Sequence, residues 1–252
     1  MGGRGSTAAT AVTRGRAAVT ARPTLDTLSP DSRETIMATT SSSRSAVLAG
    51  YLAAYGCVVE AGFEKDIQWA KGLASVEPDD RYVMCEGAWV IVNSGFRYNV
   101  ARKLWPELTR VFWDFDPHCI GPEDMKRGLK VLRHERKIHA IIDLAALIHK
   151  DGVASILEDA KDPPKLTRLP YIGPITCWHL AKVLGVDAVK PDVHLQRAAT
   201  AAGYPSPLAL CEEIRTASGD RLTVIDSVLW RYGQQQQERR WLPWDQLFKE
   251  AT

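Results

Sequence analysis

What this 252-residue chain lacks narrows its class first. It has no CxxC pair. The five cysteines, Cys57, Cys85, Cys119, Cys177 and Cys211, stand apart, which argues against a zinc knuckle or an iron–sulfur loop. Isolated thiols in apolar surroundings are the pattern of reduced core residues. No apolar run approaches the roughly 18 residues of a membrane span, so no membrane association is expected. The net charge of +2 is too small to announce a polyanion partner, and any basic surface must be local. Strict period-two alternation is nearly absent, which removes half-buried strands from the reading.

Residues 1–43 are almost free of large apolar side chains and are rich in Ala, Thr, Ser and Arg. Such a segment cannot bury enough surface to offset its ordering entropy, so it reads as a disordered, dispensable tail. Its first 25 residues carry four arginines and no acid, the composition of a transit peptide or of a basic tail. A start at Met37 is a third option. The apolar centre of a secretory signal is missing.

From Ser45 the pattern turns helical. "SAVLAGYLAAYGCVVEAG", "FEKDIQWAKGLASV", "DDRYVMCEGAWVIVNSGF", "RKIHAIIDLAALIHKDG" and "RLTVIDSVLWRYGQQQ" place apolar residues at three- and four-residue intervals. Gly, Pro and Asp punctuate the short loops between them. The expected fold class is all-α.

One corner stands out, "LPYIGPIT", residues 169 to 176. A short helix opening at Pro163-Pro164 ends at Leu169. Gly173 and Pro174 then set the entry to the next helix, with Pro174 expected at its first position. Amides at such a start are unpaired donors with partial positive charge, a sequence-independent phosphate clamp. An ordinary αα-hairpin has the same outline. About twenty residues on comes "VKPDVHLQR", where Asp192 follows Pro191 and is placed to cap a helix.

Together these stretches resemble the helix-hairpin-helix DNA glycosylase superfamily, which includes endonuclease III-like enzymes. There a hairpin L-P-G-[VI]-G-x-x-T is followed, after one helix, by a loop with an essential Asp. His often stands two residues beyond that Asp, and Arg five. Leu169, Pro170, Ile172, Gly173 and Thr176 match the hairpin, and Asp192, His194 and Arg197 match the loop. Phe112 to Pro117 and "RHERKIHAIID" look like parts of 3-methyladenine glycosylases. The resemblance covers roughly residues 80 to 200. It departs at Tyr171, where the family has its first hairpin glycine, and at Ile175, where lyase-competent members carry Lys. It lacks the iron–sulfur cysteines and the zinc residues of the subgroups that have them.

The resemblance implies a two-lobed helical fold. Residues 80–200 would form a barrel lobe with the hairpin, and 45–79 plus 201–252 a second lobe, with a cleft between. It implies a monomer on double-stranded DNA that hydrolyses the N-glycosidic bond of a damaged or modified base, in base excision repair. Asp192 would be the catalytic carboxylate, stabilising charge on the sugar and orienting water. Residues 169–176 would hold the backbone, with a monovalent cation as the one ion the hairpin would take. With Ile175 in place of Lys, the lyase amine is missing from the hairpin; Lys182 and Lys190 lie nearby in sequence, with Lys182 expected to project elsewhere on its helix, and a monofunctional, water-using enzyme is expected. The protein would be cytoplasmic and nucleoid-associated, with organelle targeting left open by the tail.

Other candidates have two readings each. His194 and Arg197 are structural or phosphate-facing. Phe96 and Arg97, in "NSGFRYN", fill the gap left by a flipped base, or are a core Phe beside a surface Arg. Glu86 is a pocket carboxylate or the polar edge of its helix. Trp89, Trp178 and Trp230 stack on a base or pack in the core. Lys126 through Lys150 holds seven Lys/Arg against two acids, a DNA-facing patch or a solvated face. His134, His139 and His149 do not make a zinc set. Two further functions stay open: a glycosylase-fold enzyme of DNA base hypermodification, and a non-catalytic DNA-binding module. The latter predicts Asp192 buried against an ion-pair partner, away from any cleft.

Overall fold

A computed structural model describes the backbone of residues 30–249 and the side chains of residues 44–249. Its α-helices are α1 (Pro30–Glu60), α2 (Glu64–Gly72), α3 (Asp80–Asn93), α4 (Tyr98–Val111), α5 (Met125–Val131), α6 (Glu135–Asp151), α7 (Ala154–Ala160), α8 (Thr176–Val183), α9 (Val193–Ala201), α10 (Pro207–Ser218), α11 (Leu222–Gln235) and α12 (Trp244–Leu247). Among the described residues there is no strand, and the fold is all-helical as the periodicity predicts. α1 begins at Pro30, so residues 30–43 are helical where composition predicts a disordered tail. The rest of that tail, residues 1–29, lies outside the described residues.

From Ser42 onward the chain forms one compact unit built on two hydrophobic clusters. The first runs from Val83 to Leu184 and centres on α3 against α6. Ile138, Ile141, Ala145 and Ile148 make the buried stripe of α6 at helical spacing. The two helices approach closely because Gly87 has no side chain: a Cβ there would stand 2.5 Å from Leu144 Cδ2.

The second cluster joins Val47 to Ala70 with Val189 to Phe248. Its axis is α11, buried on every side from Leu222 to Leu229 between α2, α9 and α10. The change of cluster falls between Leu184 and Val189, earlier than the boundary at 200 that the resemblance implies. The reason is α9, whose Leu195, Ala198 and Ala199 pack with α11 rather than with α3 and α6. No single described helix is long and apolar enough to cross a membrane.

Candidate functional site

The corner is anchored from inside. Leu166, Leu169 and Ile172 are buried in the first cluster, so the chain between them must turn sharply. It does so at Tyr171, whose φ of +63° lies in the left-handed region that favours glycine. A tyrosine therefore holds a conformation that glycine would adopt without strain.

Gly173 N donates to Thr176 Oγ1 at 2.7 Å, and Gly173 O accepts from Cys177 N at 2.9 Å. Pro174 lies ahead of the helix, which begins at Thr176 rather than at the proline. The expected clamp is therefore smaller. Gly173 spends its amide on Thr176 and Pro174 has none, while the amides of Ile175 and Thr176 reach no backbone carbonyl. The side chain of Ile175 is 43% exposed at the tip. The Leu169 carbonyl accepts from Ile172 N, and the Gly173 carbonyl from both Cys177 N and Thr176 Oγ1. Both of these carbonyls thus already accept a hydrogen bond within the corner.

The corner is braced by an aromatic and cationic cluster. Lys137 is buried, and its Nζ donates to the carbonyls of Val92 and Ser94 at the end of α3. Phe96 packs edge-on to His134, which packs edge-on to Tyr171, and Arg136 lies 5.9 Å over the Tyr171 ring. Phe96 thus packs, partly buried, against the first cluster, and Arg97 is exposed at the N-cap of α4. The basic stretch divides likewise. Lys126, Lys130, Arg133, Arg136 and Lys150 are exposed, Arg127 pairs with Asp124, and Lys137 is interior.

α8 leads from the corner into the wall of a cavity of about 660 Å³. α3 presents Glu86, Trp89 and Asn93 to it, at the i, i+3, i+7 spacing of one helix face. Tyr98 and Trp105 come from α4, Trp69 from α2 and Trp230 from α11. Trp89 stands edge-on to both Tyr98 and Trp105, at 6.0 and 5.0 Å. Asn93 Oδ1 is buried without a hydrogen-bond partner. Loss of solvation raises the Glu86 carboxyl to about 7, so it is half-protonated near neutrality.

The lining also carries nitrogen-bearing side chains. His179 and Lys182 come from α8, and Lys190 from the following loop. Desolvation, then the ammonium groups of Lys190 and Lys182, hold His179 well below the usual imidazole range, so it is neutral. Lys182 is bonded to Asp226 of α11, both side chains withdrawn from water. Asp226 Oδ1 also accepts Lys190 N at 2.8 Å.

Asp192 lies two residues on. It caps α9, its Oδ1 accepting from His194 N at 2.9 Å and Leu195 N at 3.3 Å. Its Oδ2 lies 3.7 Å from Lys190 Nζ, and its side chain is 12% exposed. Asp192 does not itself line the cavity, but the lysine beside it does. It is thus half-buried beside an ion-pair partner that itself lines the cavity.

The remaining candidates scatter. Trp178 packs against the first cluster and stays out of the cavity. His194 is half-buried and closely apposed to α11, where a Cβ at Gly233 would stand 3.0 Å from its ring, so it does not face outward to a phosphate. Arg197 is exposed. Sequence reasoning missed Trp69, Trp105, Tyr98, His179 and Asp226. Only Asp226 left a trace, as the one charge between Arg221 and Arg231 in an otherwise buried helix. No family model matches the chain, and neither does any curated protein or solved structure.

Proposed function

We propose that this protein binds duplex DNA through the corner 169–176 and releases a damaged or modified base by hydrolysing its N-glycosidic bond. One observation carries the reading. α8 starts at an exposed corner with a glycine-like turn and runs into the wall of an aromatic cavity, which Lys190, paired with Asp192, completes.

The chemistry follows from charge. A departing base leaves positive charge at C1′, and the Asp192 carboxylate stabilises it and orients the attacking water. The base must first leave the stack, and flat aromatic walls suit it once extruded. Glu86 in its protonated form donates to the base, and Asn93 Oδ1 accepts from it. Arg133, Arg136 and Arg97 supply phosphate contacts from the corner side.

The cavity volume favours a second reading. About 660 Å³ is several times what a bare base fills, leaving room for a large substituent. A glycosylase-fold enzyme acting on hypermodified bases fits that space. The deciding experiment offers duplexes with small lesions and with bulky base substituents, and measures free base or altered base. Small-lesion release supports repair, and turnover confined to bulky bases supports hypermodification. Binding of every duplex without chemistry on any would leave the non-catalytic DNA-binding module and overturn both enzymatic readings.

A further inference from the structure

We propose that the base taken into this cavity carries a substituent ending in an anionic oxygen group, a carboxylate or a phosphate, which Arg231 and Arg102 receive. The inference rests on the reading of the cavity as a site for an extruded base. It adds the chemistry of the group that fills the space beyond the ring.

Arg231 of α11 lines the cavity with its side chain only 9% exposed. Its guanidinium is held on several sides. Nη2 forms an ion pair with Asp66 Oδ2 at 2.5 Å, and Nη1 donates to Gln234 Oε1. Cζ stands 4.5 Å from the centre of the Phe63 ring, 4.8 Å from Trp230 and 6.0 Å from Tyr98. Those contacts account for the charge and for both tips of the fork, but not for Nε. That N–H is buried and has no acceptor among the described residues. A buried donor left unpaired is costly, and an oxyanion offered to it makes a short, charge-assisted bond.

Arg102 supplies a second cation. It stands on α4 four residues after Tyr98, on the same helix face as the ring beside Arg231. It lines the cavity, and its side chain makes no ion pair among the described residues. Set against the one carboxylate of Asp66, the two guanidiniums leave a positive charge uncompensated. The position suits a substituent rather than a ring. Asp226, Ser227, Trp230 and Arg231 are the cavity-lining face of α11. Asp226, bonded to Lys182 and to the Lys190 amide, belongs to the end that leads to Asp192. Arg231 lies five residues on, about 7.5 Å along the helix axis. A pyrimidine with its sugar bond beside Asp192 does not reach that far with its ring, and a short chain on its outer edge does.

The test gives the full chain duplexes with one uracil whose C5 carries a carboxyethyl, phosphonoethyl, carbamoylethyl or aminoethyl group. It reads the dissociation constant of each at one salt concentration, and single-turnover base release beside it. Carboxyethyl and carbamoylethyl differ in charge at nearly constant shape. The wild type should bind a carboxyethyl or phosphonoethyl duplex at least about tenfold more tightly than the carbamoylethyl one, the size of one charge-assisted bond. The stronger of the two anionic arms says whether the group is a carboxylate or a phosphate. The preference should be lost in Arg231→Gln and reduced in Arg102→Gln, each with its thermal midpoint measured. Should Arg231→Gln not fold, because Asp66 is left unpaired, the wild-type series and Arg102→Gln decide. Equal affinity for carboxyethyl and carbamoylethyl overturns the inference, as does a preference for aminoethyl or one undiminished in a folded variant. Base release from neutral substituents in that case leaves the proposed function standing. An anionic preference in binding without release from any duplex supports the inference and overturns base release. Failure to bind any duplex overturns both.

Discussion

The ammonium of Lys137 lies 4.0 Å from the centre of the Phe96 ring. The same nitrogen is 5.6 Å from the Tyr171 ring and bonds the last carbonyls of α3. One buried cation therefore ties the loop after α3 to the corner. Lys137→Met keeps the bulk but strands two carbonyls, and stability should fall by about 2–4 kcal/mol in urea unfolding. Burial also lowers this amine from 10.5 to about 8. Between those values the unfolded chain keeps a proton that the folded one sheds, so stability rises with pH across the window. In Lys137→Met that rise should vanish.

Tyr171 separates backbone strain from side-chain contact. Tyr171→Ala and Tyr171→Gly both lose the ring, but only glycine relieves the positive φ. The glycine variant should be the more stable of the two by about 1 kcal/mol. Equal stabilities in denaturant titrations would show that the turn is not held in the left-handed region.

Glu86 gives a stability slope of opposite sign. Its folded pKa of about 7 lies above the ordinary 4.5, so the native state holds the proton longer than the unfolded chain. Stability should fall as pH rises from 4.5 to 7, and Glu86→Gln should flatten thermal midpoints over that range. If protonated Glu86 donates to the bound base, the wild type should also lose base release above pH 7, a limb missing from the variant.

Asp192→Asn keeps the size and the capping oxygen, so stability should fall by no more than about 1 kcal/mol. It removes the charge that stabilises the sugar cation, and single-turnover base release should drop by roughly 100-fold or more. Duplex affinity should persist, because the corner is untouched. Unchanged release would reduce Asp192 to a helix cap.

The helices were legible because each has its own apolar stripe, as α6 shows from Ile138 to Ile148. Asp192 was legible as a cap because capping is local. The cavity was not. Glu86 and Trp89 meet Trp69 from α2 and Trp230 from α11, segments that nothing in local spacing brings together. Phe96 as a core Phe beside a surface Arg was one of the two readings the sequence offered; what escaped was its partner Lys137, which composition alone assigns to a solvated or DNA-facing stretch. The placement of α9 escaped too: its apolar stripe shows that it packs, not against which partner.

Asp226 belongs to α11 in the second cluster, and Lys182 to α8 in the first. The pair bridges the two halves, and removing either member leaves the other charge buried and unpaired, a penalty of about 3–5 kcal/mol. The two clusters are thereby made one cooperative unit. Heat or denaturant should melt them in a single transition, with probes in α6 and α11 reporting the same midpoint.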